Sequence, residues 1–184
     1  DKQNIWFSFL TDSCVPIISP AEFRKRFFEH YQASVFKWKP AYWNITIHRR
    51  ANLRLFKKEY WLANDPWFTL TRSHVHKCLI FLAGKNNIYN KVNEGGLANE
   101  SLFAIILHGY KQLDAAVISA VTHLADWSRM ASATSPHLFK EANNADIKFI
   151  ETELEKNKYA LFIRKISPEF PDAILRHYIY KQSK

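Results

Sequence analysis

Residues 67–84 read as an aromatic strand that turns directly into an amphipathic helix. Trp-Phe-Thr-Leu at residues 67–70 has the composition of a strand, and the Thr71 hydroxyl is suited to cap a helix that starts immediately after it. Gly84 provides a stop for that helix. Apolar residues predicted to share its inward face are Val75, Cys78, Leu79 and Leu82. A strand that feeds a helix without a linker predicts a layered α/β fold.

The rest of the chain alternates in the same way. Residues 4–10 are aromatic and apolar on both faces, which predicts a central strand covered on both sides. Ser19 is predicted to cap a helix over residues 20–31. Asn99 is predicted to cap another helix, with Glu100 in its first turn near the positive helix end. The remaining predictions are strands over 118–124 and 159–166, a helix over 146–157, a short helix from 176, a loop over 85–96 and a polar connection over 128–142.

Length and composition indicate one globular domain spanning residues 1–184 with a single core. Of the 184 residues, 47% are hydrophobic, which is ordinary for a folded domain. Lys and Arg number 26 against 17 Asp and Glu, a net charge of +9. The surplus favours anionic partners, but its scattered distribution is also that of a solvated basic surface. Cys14 and Cys78 lie in apolar contexts that favour buried free thiols.

Several common catalytic patterns do not occur in the sequence. It contains no Gly-rich phosphate loop, no Gly-x-Ser-x-Gly, no His-Glu-x-x-His and no Asp-x-Asp pair. His74, His76 and Cys78 are close in sequence, but only His74 and Cys78 would share a helix face, so we interpret the group as structural. No metal site is expected.

Five segments, in order along the chain, resemble core-2/I-branching β-1,6-N-acetylglucosaminyltransferase-like proteins, including the plant-type members. Residues 6–17 are similar to that family's strand ending in Ser-x-Ser-Cys-x-Pro-Leu. Residues 59–74 resemble an aromatic strand that enters a helix through Leu-Thr-Arg, and residues 97–103 fall where the family carries its catalytic glutamate. Residues 125–129 are similar to a Val-Asp-Trp-Ser segment, and residues 161–167 to a Leu-Phe-Ala-Arg-Lys-Phe strand.

The resemblance implies a GT-A-like α/β fold, with a mixed sheet flanked by helices and without the N-terminal nucleotide-binding strands. It implies an inverting, metal-independent glycosyltransferase that moves N-acetylglucosamine or a related sugar from a UDP-sugar to a glycan hydroxyl, with no cofactor beyond the donor. For a full-length eukaryotic member the expected location is the Golgi lumen, with membrane attachment only through a segment absent from this chain.

The resemblance also implies roles for individual residues. Glu100 matches the glutamate of the family's Asp-Glu-His motif and is the expected general base. Lys165 is the preferred contact for the leaving diphosphate, Arg164 points to the other face of a regular strand, and Arg129 is a second candidate. The aromatic residues expected to contact the acceptor sugar are Trp61, Trp67 and Trp127.

The sequence departs from the family pattern around the expected base. Asn99 replaces an aspartate, Ser101 replaces a frequent histidine, and residues 63–64 replace a Lys-Gly pair. Two alternatives to an active transferase therefore stay open: an inactive relative that acts as a scaffold, and a basic module that holds nucleic acid by stacking and phosphate contacts. The transferase interpretation expects a UDP-sugar and a glycan as partners and no nucleic acid.

Overall fold

A computed structural model describes residues 2–46, 50–84 and 87–180. The fold is mixed α/β. In chain order the strands are β1 (Trp6–Ser8), β2 (Val15–Pro16), β3 (Ser34–Val35), β4 (Trp38–Pro40), β5 (Leu62–Asn64), β6 (Thr69–Thr71), β7 (Val117–Ile118), β8 (His123–Ala125) and β9 (Phe162–Arg164). The helices are α1 (Pro20–His30), α2 (Arg72–Ala83), α3 (Asn87–Asn93), α4 (Leu102–Gly109), α5 (Asn144–Lys156) and α6 (Asp172–Tyr180).

The chain packs as two compact units, each with its own sheet and buried side chains. The first comprises Asp1–Phe9 and Gln32–Ala120, and the second comprises Leu10–Tyr31 and Val121–Lys184. These layers of helices and mixed sheets are consistent with the expected GT-A-like fold. The assignment of residues 1–184 to a single domain stays a prediction.

The main sheet of the first unit has the strand order β1-β6-β3-β7. Strand β6 pairs antiparallel with β1 and β3, whereas β3 and β7 are parallel. The prediction that the first strand is central is wrong, because β1 lies at the edge of this sheet. Its aromatic residues contact neighbouring segments of the unit. The Trp6 indole donates to the Ala33 carbonyl at 3.0 Å, and the Arg72 guanidinium lies 5.5 Å from the Phe7 ring centroid.

The turn from β6 into α2 follows the sequence prediction. The Thr71 hydroxyl accepts from the His74 backbone amide at 3.4 Å, and the helix ends at Gly84. The predicted inward face is only partly right. Leu79 and Leu82 are exposed, whereas His74 and Cys78 are buried.

The buried His74 ring is part of a polar chain inside the first unit. The Ser34 hydroxyl accepts from the Thr71 amide at 2.9 Å and lies 2.7 Å from His74 Nδ1, so it donates its proton to that nitrogen. His74 Nε2 then donates to Gln112 Oε1 at 3.4 Å. Burial lowers the pKa of His74 in spite of this bond. Both ring nitrogens therefore have partners inside the unit, and the structural interpretation of the His74, His76 and Cys78 group stays a prediction.

The second unit contains a three-stranded sheet with the strand order β2-β9-β8. The central strand β9 pairs antiparallel with β2 and parallel with β8. The Ser19 hydroxyl caps α1 by accepting from the Glu22 amide at 3.1 Å, and Asn143 caps α5. The predicted helices over 20–31 and 146–157 are therefore confirmed to within two residues.

Two further predictions are wrong. Residues 118–124 are not one strand, because β7 and β8 belong to different sheets. Residues 87–93 form the short helix α3 within a segment predicted to be a loop, because Val92 is buried in the core and Tyr89 packs against it. The start of that predicted loop, residues 85–86, lies outside the described residues.

We predict that acid weakens the fold through His123, which is 4% exposed. Burial, and secondarily the charge of Arg164, lowers the pKa of His123 to about 4. The unfolded chain then binds a proton that the folded chain does not, so stability is complete above about pH 6.5 and falls toward pH 4, by on the order of 3 kcal/mol. Urea unfolding of wild type and His123→Asn at pH 7 and 4.5 checks this, since the variant should lose less stability on acidification. The exposed His76→Asn is the control, and equal pH dependence in all three proteins would contradict the prediction.

Candidate functional site

Glu100 lies at the end of a 3-10 turn, Ala98–Glu100, and not in the first turn of α4. The Glu100 amide donates to the Leu97 carbonyl and the Ser101 amide to the Ala98 carbonyl, both at 3.0 Å. These short-range bonds close the turn before α4 begins. The prediction that Asn99 caps this helix is wrong, because Ser101 occupies the N-cap position and makes no side-chain capping bond. The helix dipole therefore does not explain the position of Glu100.

Asn64 ties this turn to the start of α4. Its Nδ2 donates to the Asn99 carbonyl at 2.9 Å, and its Oδ1 accepts from the Ala104 amide at 3.2 Å. The side chain is 5% exposed, so both bonds are shielded from water. Asn64, one of the two residues that replace the family's Lys-Gly pair, thus fixes the backbone next to Glu100 by hydrogen bonds on both sides of it.

Arg50 holds the Glu100 carboxylate directly. Its Nη2 donates to Glu100 Oε2, and the two side chains are 28% and 22% exposed. Burial lowers the pKa of Arg50, but the hydrogen bond and charge of Glu100 outweigh it, so the pKa is raised overall. The ion pair is partly buried from solvent, and the guanidinium stays charged next to the carboxylate.

The backbone of Arg50 is fixed by a close approach to Gly95. A Cβ atom at Gly95 would lie 2.8 Å from the Arg50 carbonyl oxygen and 2.7 Å from the Ala51 Cα. The same Arg50 carbonyl accepts from the Leu97 amide at 2.5 Å. The segment that leads to Glu100 therefore packs directly on the backbone of its ion-pair partner, and only glycine fits at position 95.

Two aromatic rings surround the Arg50 guanidinium. Its Cζ lies 5.7 Å from the Tyr42 centroid and 5.5 Å from the Trp43 centroid. Lys39 Nζ lies 4.2 Å from the Tyr42 centroid. The sequence analysis missed this group, although the aromatic and basic composition of residues 34–58 was its signal.

The predicted sugar-contacting tryptophans have different surroundings. Trp61 Nε1 donates to the Phe56 carbonyl at 3.1 Å and its ring packs against the core. Trp67 lies 6.3 Å from the Phe9 ring and is half-buried. In the second unit, Trp127 is 52% exposed. Their role in acceptor binding stays a prediction.

Arg129 is engaged by two buried carboxylates of the second unit. Its Nε donates to Asp126 at 2.6 Å and its Nη1 to Asp146 at 2.9 Å, and both aspartates are 1% exposed. His137 Nε2 also lies 3.0 Å from Asp146. Burial raises the pKa of Asp126, but hydrogen bonds from Ser128 and Arg129 lower it by more. Arg129 thus neutralises carboxylates inside its own unit.

Lys165 and Arg164 differ in exposure. Lys165 lies just beyond the end of β9, is half-buried, and donates from Nζ to Ser135 Oγ at 2.8 Å. Arg164 is 6% exposed. Among the described residues, one neutral hydroxyl accepts a hydrogen bond from this ammonium group, which has two further protons to donate. Diphosphate binding by either residue stays a prediction.

The described residues contain no group of three or more His, Cys, Asp or Glu side chains arranged to hold a metal ion. Metal independence stays a prediction. In the same ranges, no helix is both apolar and long enough to cross a bilayer.

The family model described as Core-2/I-Branching enzyme matches residues 1–152. The chain belongs to this family. It is therefore a glycosyltransferase, from a family of Golgi-type enzymes that use a sugar donor and a glycan acceptor. The resemblance inferred from the sequence is confirmed, whereas Arg164 and Lys165 lie beyond the matched residues. No curated protein matches the chain.

We predict that Gly95→Ala destabilises this glycosyltransferase by roughly 1–3 kcal/mol, because the new methyl group must displace the Arg50–Ala51 backbone. Gly96→Ala is the matched control, since nothing lies within 4 Å of a Cβ atom there. Urea unfolding of both variants measures the difference. Equal stability of the two variants would show that the close approach imposes no constraint.

Proposed function

We propose that the chain transfers a sugar from a UDP-sugar to a glycan hydroxyl with inversion and without a metal, using Glu100 as the general base. The observation that carries the proposal is the Glu100 carboxylate, half-buried and held by Arg50 on a turn that Asn64 clamps. A fixed carboxylate at the position where this family carries its catalytic glutamate is the group that inverting transfer requires.

The reaction needs one proton acceptor and one means of stabilising a leaving group. The acceptor oxygen forms a bond to the anomeric carbon as the bond from that carbon to the diphosphate oxygen breaks. Glu100 takes the hydroxyl proton, and the bonding electrons leave with UDP. Because Arg50 donates to Oε2, the other carboxylate oxygen, Oε1, is the proposed proton acceptor. The ion pair also fixes the orientation of the carboxylate before the acceptor arrives.

We assign the leaving diphosphate to Lys165. Its ammonium group is half-buried and has a neutral hydrogen-bond partner, so an incoming phosphate would gain a charge-assisted bond without breaking an ion pair. Arg129 is a weaker candidate because two carboxylates already occupy its Nε and Nη1. Arg164 is weaker because it is almost completely buried.

The finer features of the proposal rest on family membership. We propose N-acetylglucosamine or a related sugar as the donated unit and the Golgi lumen as the location, because Core-2/I-branching enzymes are Golgi-type transferases. A lysine that neutralises the diphosphate fits a metal-independent mechanism. The UDP-sugar itself is the donor substrate, and no additional cofactor is proposed.

Glu100→Gln tests the base. We expect acceptor-dependent UDP release to fall by roughly 10²–10⁴-fold, because the amide cannot accept the proton. Glu59→Gln, at an exposed carboxylate of the same unit, should keep full activity. The assay uses a panel of UDP-sugars with glycan acceptors and the longest available form of the protein. A folded wild type that binds UDP and releases none would instead identify an inactive relative, and an active Glu100→Gln would remove Glu100 as base.

Lys165→Ala tests the diphosphate contact. We expect UDP to bind about 10-fold more weakly, since one charge-assisted hydrogen bond is lost. Lys165→Arg should recover part of the affinity, and Lys140→Ala, at an exposed lysine of the same unit, should leave it unchanged. Calorimetric titration with UDP measures the three variants. Unchanged affinity in Lys165→Ala would refute the assignment.

A further inference from the structure

We propose that the exposed ring of Tyr42, flanked by Lys39 and Arg50, binds an acidic sugar residue of the acceptor glycan. The inference rests on the proposed function, because it places this subsite next to the proposed base. It assigns a substrate class, glycans that carry a carboxylate, to a group of residues that the sequence did not single out.

Tyr42 is a supported platform for a ligand. The side chain is 60% exposed, and the Lys39 ammonium lies over its ring, 4.2 Å from the centroid. Its ring packs against Trp43 with the two planes 87° apart and the centroids 5.1 Å apart, and Trp43 in turn packs on the core of the unit. An exposed ring whose position is fixed by packing against Trp43 offers a contact surface for a sugar at little entropic cost.

The two cations beside the Tyr42 ring differ in whether a carboxylate neutralises them. Arg50 is matched by Glu100, to which it donates a hydrogen bond. Lys39, with Nζ 4.2 Å from the Tyr42 centroid, is exposed and has no carboxylate partner in the part of the chain that the structure describes. A carboxylate on a sugar stacked at Tyr42 would therefore meet an unmatched positive charge at Lys39.

Arg50 connects this ring to the proposed base. The same guanidinium lies 5.7 Å from the Tyr42 centroid and donates to Glu100 Oε2. A sugar bound at Tyr42 is thus separated from the Glu100 carboxylate by one side chain, and its neighbour along the glycan would present a hydroxyl to that carboxylate. The order along the surface is cation, aromatic ring, cation and carboxylate.

This order fits an acidic glycan better than a nucleic acid. A strand with a phosphate at every step would bring negative charge next to Glu100, where like charges repel. A glycan in which acidic and neutral sugars alternate places its charge at Lys39 and an uncharged unit at Glu100. The aromatic and basic composition that raised the nucleic-acid alternative is therefore better explained as recognition of a sparsely charged polymer.

The test is direct binding, without donor, of a hexasaccharide of alternating glucuronate and N-acetylglucosamine. We expect Tyr42→Ala to weaken binding about 10-fold and Lys39→Ala about 5-fold, as lost stacking and a lost partly exposed ion pair would give. Tyr42→Phe should bind like the wild type. The matched controls are exposed residues elsewhere, Tyr180→Ala and Lys57→Ala, which should not change the affinity.

The carboxyl-reduced hexasaccharide, which has lost its negative charge, measures how much the carboxylate contributes to binding. It should bind the wild type about as weakly as the acidic form binds Lys39→Ala, and Lys39→Ala should not weaken it further, because the two changes remove the same interaction. The measurement needs neither donor nor turnover, so failure of Glu100 as base would leave its result intact. The proposal is overturned if the wild type does not bind the acidic hexasaccharide, if Tyr42→Ala binds as tightly as Tyr180→Ala, or if a single-stranded oligonucleotide of equal charge binds more tightly.

Discussion

The close approach of two backbone segments, at Gly95 and at Arg50–Ala51, is the constraint on which the site around Glu100 depends. A Cβ atom at Gly95 would overlap the facing backbone, and the Leu97 amide donates to the Arg50 carbonyl in the same place. The contact sets the position from which the Arg50 side chain reaches the carboxylate. Asn64 secures the other side by bonding the Asn99 carbonyl and the Ala104 amide. Main-chain packing thus fixes the backbones that carry Arg50 and Glu100, and the Arg50 side chain then orients the carboxylate.

Local rules predicted the elements whose ends are set by neighbouring residues. Thr71 and Ser19 cap their helices because a hydroxyl next to a free backbone amide needs no tertiary partner. The same reasoning failed at Asn99, because the backbone there closes a 3-10 turn and the Asn99 carbonyl is drawn to Asn64, 35 residues away. Helical periodicity likewise failed for Leu79, which is exposed, because the buried positions of α2 are His74, which bonds Ser34, and Cys78. Periodicity reports which residues share a face and does not report which face is covered.

The positive charge of the chain overstates how many cations an anionic ligand could use. Arg129 neutralises two buried aspartates, and removing such a partner leaves buried charge uncompensated, at a typical cost of about 3–5 kcal/mol. Arg26 is likewise engaged with Glu22 and with the Ala160 carbonyl. Lys39 and Lys165 differ from them in having no carboxylate partner among the described residues. The sequence supplies the number of charges, but the free energy available to a ligand depends on which of them are already paired.

The departures from the family's Asp-Glu-His pattern can be judged by where the two neighbours of Glu100 lie. Ser101 is completely buried, and its hydroxyl has no hydrogen-bond partner in the described part of the chain, so this position faces the interior of the unit. Asn99 is exposed and contributes its backbone carbonyl to the clamp from Asn64. The charge beside the carboxylate comes from Arg50, which is fifty positions earlier in the chain. The group that holds the carboxylate of the proposed base in this chain is therefore a distant arginine. It does not lie at position 99 or 101, where the sequence departs from the family motif.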